Sequence, residues 1–119
     1  MDVKAFPEEW ELSGFFGVEP ELLDADAPWI YNVITYRREK GGETLCCSFA
    51  PAYGDLDLTL TCGQVQKLRL SLHQIQRVDL VHEHGRERLR LAFNEQTPLN
   101  DFWLTLKPEM CIVWGNTPD

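Results

Sequence analysis

Asp55-Leu56-Asp57-Leu58-Thr59-Leu60-Thr61-Cys62 and Gln66-Lys67-Leu68-Arg69-Leu70-Ser71-Leu72 flank Gly63-Gln64-Val65, and both runs alternate strictly between polar and apolar residues. Period-two alternation over such lengths describes strands with one face in a core and the other in water. A three-residue loop at Gly63-Gln64-Val65 pairs Leu60 with Leu68, Leu58 with Leu70 and Leu56 with Leu72. A two-residue loop sets Leu60 against Lys67, so the apolar pattern selects the longer loop.

A second hairpin follows at once. His84-Gly85 suits a type I′ turn, since glycine accepts positive φ freely and histidine tolerates it better than most residues. That turn sets Glu83 against Arg86, Leu80 against Leu89, Asp79 against Arg90 and Val78 against Leu91. The apolar residues then share one face and two acid–base pairs lie on the other. Exposed pairs of this kind contribute only ~0.2–1 kcal/mol each, so they fix register more than stability.

Working outward, Trp29 to Arg38 is rich in β-branched and aromatic residues and predicts a strand. Lys40-Gly41-Gly42 turns the chain into another at Thr44 to Phe49, and Pro51-Ala52-Tyr53-Gly54 connects that strand to the hairpins. After the polar loop 94–100, Phe102 to Leu106 and Met110 to Trp114 form a last hairpin around Lys107-Pro108-Glu109. There Phe102, Leu104, Leu106, Met110, Ile112 and Trp114 share one face, and Trp103 points outward. The tail from Gly115 to Asp119 is expected to fray.

Before the strands, Pro7-Glu8-Glu9-Trp10-Glu11-Leu12 has proline and acids where a helix starts. Ser13-Gly14 is expected to interrupt it, and Glu19 to Asp24 to form another helical turn. Trp10, Leu12, Phe15, Phe16, Leu22 and Leu23 are expected to dock this segment on the sheets. The fold class is therefore mainly β: about eight antiparallel strands in a curled sandwich or partly open barrel, with a short helical N-terminal segment. One domain over residues 1–119 is expected, with 1–26 as an acidic helical cap and 29–114 as a β-rich body.

Charge is unevenly distributed. Of a net −8, residues 1–26 carry eight acids against Lys4 alone, leaving −1 for the remainder. Nucleic-acid binding is disfavoured, because phosphate contacts need a dense basic surface. No apolar run reaches the ~20 residues of a membrane helix, and Met1-Asp2-Val3-Lys4 does not open a secretory signal. A cytoplasmic chain is expected. Cys46, Cys47, Cys62 and Cys111 lack metal-site and disulfide-framework spacings, and Cys62, in an inward-facing set, is expected to be a buried structural thiol.

Candidate chemistry is sparse. His82-x-His84 lacks a third ligand at a recognisable spacing, so neither metal nor cofactor is expected. Cys46 and Cys47 point to opposite faces of a strand. Asp55 and Asp57 share an outer face in the manner of paired hydrolase carboxylates, but Ser71 and Arg69 continue the same polar stripe. Lys67, Arg69, Arg86, Arg88 and Arg90 read as a solvated face. Trp103 and the acidic segment are the better interface candidates, as anchor and as source of electrostatic steering.

Trp10, Phe16-Gly17, Pro20 and Asp24/Asp26, followed by a run of strands, give a layout that resembles the small all-β immunity proteins of bacterial polymorphic-toxin systems. Those proteins usually carry a His-Asp pair after the proline, where this chain has Leu23-Asp24. The resemblance implies a non-enzymatic cytosolic inhibitor of a cognate toxin domain. An acidic inhibitor suits a basic toxin, with Glu19, Glu21, Asp24 and Asp26 as contacts and Trp103 as a further anchor. A small-ligand-binding sandwich or barrel is the alternative, and a hydrolase built on Asp55/Asp57 or His82/His84 a weaker third.

Overall fold

The computed structural model describes residues 5–97 and 99–115. The expected fraying after Gly115, and Asp2 and Lys4 in the charge count, fall outside the described residues. Among the described residues, helix α1 (Glu9–Phe16) precedes nine strands: β1 (Glu21–Leu22), β2 (Ile34–Lys40), β3 (Glu43–Ala50), β4 (Asp55–Cys62), β5 (Val65–Leu72), β6 (Ile75–Glu83), β7 (Arg86–Phe93), β8 (Phe102–Thr105) and β9 (Cys111–Val113).

The strands form two antiparallel sheets, β1-β2-β3-β4-β5 and β6-β7-β8-β9. The chain passes from one sheet to the other between β5 and β6, at His73-Gln74, where Gln74 takes a φ of 62°. Because consecutive strands β5 and β6 belong to different sheets, the body is a curled sandwich and not a closed barrel. Alternate residues of both sheets meet in one core: Leu45, Phe49 and Leu58 from the first, Val78, Leu89, Phe102 and Leu104 from the second.

Both quoted hairpins form with their apolar pairs in the expected register. The first turn, however, is Gly63-Gln64 alone. Cys62 faces Val65 and Thr61 faces Gln66, and a bulge at Lys67 restores Leu60 to Leu68. A bulge absorbs one residue without moving the buried leucines to the wrong face. In the second hairpin His84 and Gly85 have φ of 51° and 74°, both positive as a type I′ turn requires. Asp79 meets Arg90 at 3.0 Å; none of the described ion pairs joins Glu83 to Arg86.

The N-terminal third departs most from expectation. The helix runs through Ser13-Gly14 and stops only at Gly17, whose φ of 74° ends it and whose N–H bonds the Ser13 carbonyl at 2.8 Å. A helical glycine costs ~1 kcal/mol, and burial of Leu12, Phe15 and Phe16 on one helical stripe exceeds that. Trp10 is 76% exposed. Two residues from Leu12 it sits ~200° away around the helix, so one stripe cannot bury both. Instead of a helical turn, Glu21–Leu22 pairs with Thr35 and Ile34 as the edge strand β1. That strand turns Leu22 inward and leaves Leu23 78% exposed. Trp29–Tyr31 forms a 3₁₀ turn instead of the start of a strand. Cys62 is only half-buried next to the Gly63 turn, and Cys47 takes the buried thiol position.

Candidate protein-interaction surface

Glu19, Glu21, Asp24 and Asp26 are all exposed along the β1 edge of the five-stranded sheet, and the described ion pairs involve none of them. Their placement depends on Asn32, the polar residue buried in the core at 4% exposure. Its Nδ2 donates to the carbonyls of Asp24 (2.6 Å) and Ala27 (3.2 Å). Its Oδ1 accepts from the N–H groups of Asp24 and Val33, both at 3.1 Å. One amide thereby satisfies both ends of the Asp24–Ala27 turn, and the Asp24 carboxylate accepts from the Asp26 N–H at 3.0 Å. The Leu23 N–H continues the ladder to the Val33 carbonyl at 3.0 Å.

Apolar side chains frame this turn. Leu23 precedes it, and Tyr31 (68% exposed) sits beside Asn32. The 3₁₀ turn of Tyr31 packs against a second one, Pro51–Tyr53, which presents Tyr53 at 70% exposure. Trp29 fixes the arrangement from behind by donating its indole N–H to the Pro7 carbonyl at 2.9 Å. Exposed tyrosines match the composition of interaction hot spots, and acids beside them act through electrostatic steering of a basic partner. The expectation of a strand from Trp29 concealed Tyr31, and Tyr53 stood in a segment read only as a connection. Behind the edge, burial pushes the Tyr36 phenol pKa up, a hydrogen bond from Ser13 opposes this, and nearby Glu9 and Glu19 reinforce it.

Trp103 is not part of this surface. It is half-buried on the outer face of the four-stranded sheet, between buried Phe102 and Leu104. The Arg88 guanidinium lies over its ring at 3.9 Å from the centroid, with Arg90 at 5.6 Å. Arg90 is held by Asp79, and Asp79 also meets Arg77 at 3.6 Å. The acidic edge and the Trp103 face therefore belong to different sheets.

This fold has a counterpart among solved structures. A chain of a complex described as a contact-dependent growth inhibition toxin–immunity protein complex from Klebsiella pneumoniae 342 superposes with a TM-score of 0.80 at 18% identity. The match covers 97% of this chain and 98% of that one, so the two share their fold from end to end. No family model and no curated protein matches the sequence.

Each of the remaining candidate groups has a neighbour of its own. Asp55 pairs with His73 at 2.9 Å, Asp57 accepts from Ser71 at 2.7 Å, and His82 meets Glu87 at 3.2 Å. None of these lines the cleft of about 340 Å³ between the β2–β3 turn and the β8–β9 loop. That cleft has Leu45, Leu60 and Met110 beneath charges of both signs, Arg38 and Lys40 against Glu43 and Glu109. Among the described residues no set of three His, Cys, Asp or Glu side chains gathers as metal ligands, and no helix is long and apolar enough to cross a membrane.

The cysteines are free, and their environments differ. Burial, reinforced by neighbouring Cys46, pushes the Cys47 thiol pKa far up. In the folded protein a thiol reagent is expected to label exposed Cys111 first and Cys47 only on unfolding. Mass-spectrometric timing of alkylation checks this. Native labelling of Cys47 as fast as Cys111 would contradict its placement.

Proposed function

We propose that this chain is an immunity protein: a non-enzymatic cytoplasmic inhibitor that neutralises a toxin domain by binding it through the acidic edge. The observation that carries this is the end-to-end match in fold to a chain from a toxin–immunity complex. The edge supplies the contact chemistry. Glu19, Glu21, Asp24 and Asp26 steer a basic partner, while Leu23, Tyr31 and Tyr53 provide apolar anchors around the same turn. Trp103, on the other sheet, is a separate contact, reached only by a partner that wraps around the sandwich. Asp55, Asp57 and His82 each engage a surface neighbour and none lines the 340 Å³ cleft, which favours a binding protein over a hydrolase. A small ligand in the 340 Å³ cleft is the second reading, its volume falling within the ~300–1,000 Å³ of ligand sites.

Two steps test the proposal. Affinity capture with the tagged chain from its own cell lysate should retain one basic protein at low salt and release it at high salt. Reversing Glu19, Glu21, Asp24 and Asp26 to lysine together should then lower the association rate with that protein ~10–1,000-fold at low ionic strength and flatten its salt dependence. Unchanged low-salt association rates in a folded variant would remove the acidic edge from the interface.

A further inference from the structure

β2 places a charge where the rest of its face is apolar. Ile34 and Tyr36 are buried in the core, and Arg38 continues the same inward row. Arg38 stands opposite Leu45, and Leu45 opposite Leu60, so the row crosses three strands as arginine, leucine, leucine. Arg38 is half-buried, and among the described residues no hydrogen bond or ion pair engages its guanidinium. A charge partly withdrawn from water is unfavourable unless a partner meets it.

This row lines the 340 Å³ cleft, and Met110 adds to its apolar lining from the β8–β9 loop. The other charges there are already satisfied. Glu43 pairs with Lys67 at 3.1 Å. Lys40 donates to the Pro108 carbonyl at 3.3 Å, which ties the β2–β3 turn to the β8–β9 loop. Glu109 is exposed, and water solvates it. Arg38 is left as the positive group that a ligand can answer, above a floor of Leu45, Leu60 and Met110. An arginine fork matches a carboxylate with two parallel hydrogen bonds. Glu43 and Glu109 oppose a second negative charge, which disfavours a phosphate dianion. The cleft is at the small end of the ~300–1,000 Å³ range of ligand sites, so the body it accepts is small.

We propose that the cleft binds a small monocarboxylate with an apolar chain, its carboxylate on Arg38 and its chain over Leu45, Leu60 and Met110. This rests on the small-ligand reading of the cleft and not on the acidic edge.

The probes are hexanoate, butanoate and hexylammonium, titrated into the isotope-labelled full chain and followed by amide chemical shifts. Hexanoate should move the resonances of Arg38, Leu45, Leu60 and Met110 saturably. It should bind about tenfold or more tightly than butanoate, since each buried methylene is worth about fourfold. Hexylammonium, equal in chain and opposite in charge, should bind about tenfold or more weakly than hexanoate. That comparison needs no variant. Arg38→Gln, which removes a charge with no partner in the fold, should keep its unfolding midpoint and lose the preference for hexanoate. Equal or tighter binding of hexylammonium to the unaltered chain would overturn the carboxylate assignment and leave the cleft a ligand site. No saturable shift of these residues with any probe at millimolar concentration would overturn both. Undiminished hexanoate binding to Arg38→Gln would also overturn the proposal.

Discussion

Phe16→Ala is expected to lower the unfolding free energy by about 3–5 kcal/mol, the usual cost of emptying a buried phenylalanine site. Phe16 stacks on Tyr36 with centroids 4.6 Å apart and planes 12° from parallel, and its ring meets Phe15 and Phe49 edge-on at 5.1 and 6.3 Å. These contacts join the end of α1 to β2 and β3, so truncation opens a cavity where helix and sheet meet. The surrounding strands are pinned by their ladders and collapse little into the gap. Urea unfolding should show a lowered midpoint with an unchanged slope. Trp10→Ala, at a ring that is mostly in water, should change stability by no more than ~0.5 kcal/mol. Equal effects of the two substitutions would mean that α1 is not docked through Phe16.

How far the fold was legible follows from the same contrast. Leu56, Leu58 and Leu60 against Leu72, Leu70 and Leu68 fixed a register, because a slip by one residue exposes every leucine. The pattern was blind to how the turn closes. A three-residue loop and a two-residue turn with a bulge at Lys67 present the same apolar pairs. In the N-terminal third, local propensity competed with burial and lost. Gly14 argues against a helix, yet Leu12, Phe15 and Phe16 hold one across it. β1 is two residues long, too short for any periodicity to reveal, and its partner residues Thr35 and Ile34 lie more than ten positions away.

The candidate surface was legible as composition and not as geometry. The excess of acid before residue 27 marked Glu19, Glu21, Asp24 and Asp26 directly. Nothing in the sequence singled out Asn32, since an asparagine in a presumed strand reads as an ordinary polar residue. Its importance lies in hydrogen bonds that exist only once the Asp24–Ala27 turn has folded back onto β2. The exposed Tyr31 and Tyr53 were hidden for a related reason: both sit on 3₁₀ turns, where the strand rule of alternating faces does not apply.

Asn32→Asp is expected to produce a second large effect, and a more informative one. The substitution keeps the shape and the acceptor that takes the N–H groups of Asp24 and Val33. It removes the two donors that satisfy the carbonyls of Asp24 and Ala27. Each group left unsatisfied at a buried position costs ~1–3 kcal/mol. A carboxylate introduced there among carbonyl oxygens is also held protonated to higher pH than in the unfolded chain. With its folded pKa raised, the deficit is smallest at acid pH, where the group is protonated in both states. It widens as pH rises through the folded pKa. Unfolding curves at pH 4 and pH 7 should therefore diverge from wild type in that order. Under the inhibitor reading, the Asp24–Ala27 turn also loses its anchor, so association with the captured toxin should slow even in molecules that remain folded. Phe16→Ala, in contrast, should leave the association rate per folded molecule unchanged, because it does not touch the turn. If Asn32→Asp destabilises without slowing association, the turn contributes to the fold alone and the contact must be sought elsewhere on the sandwich.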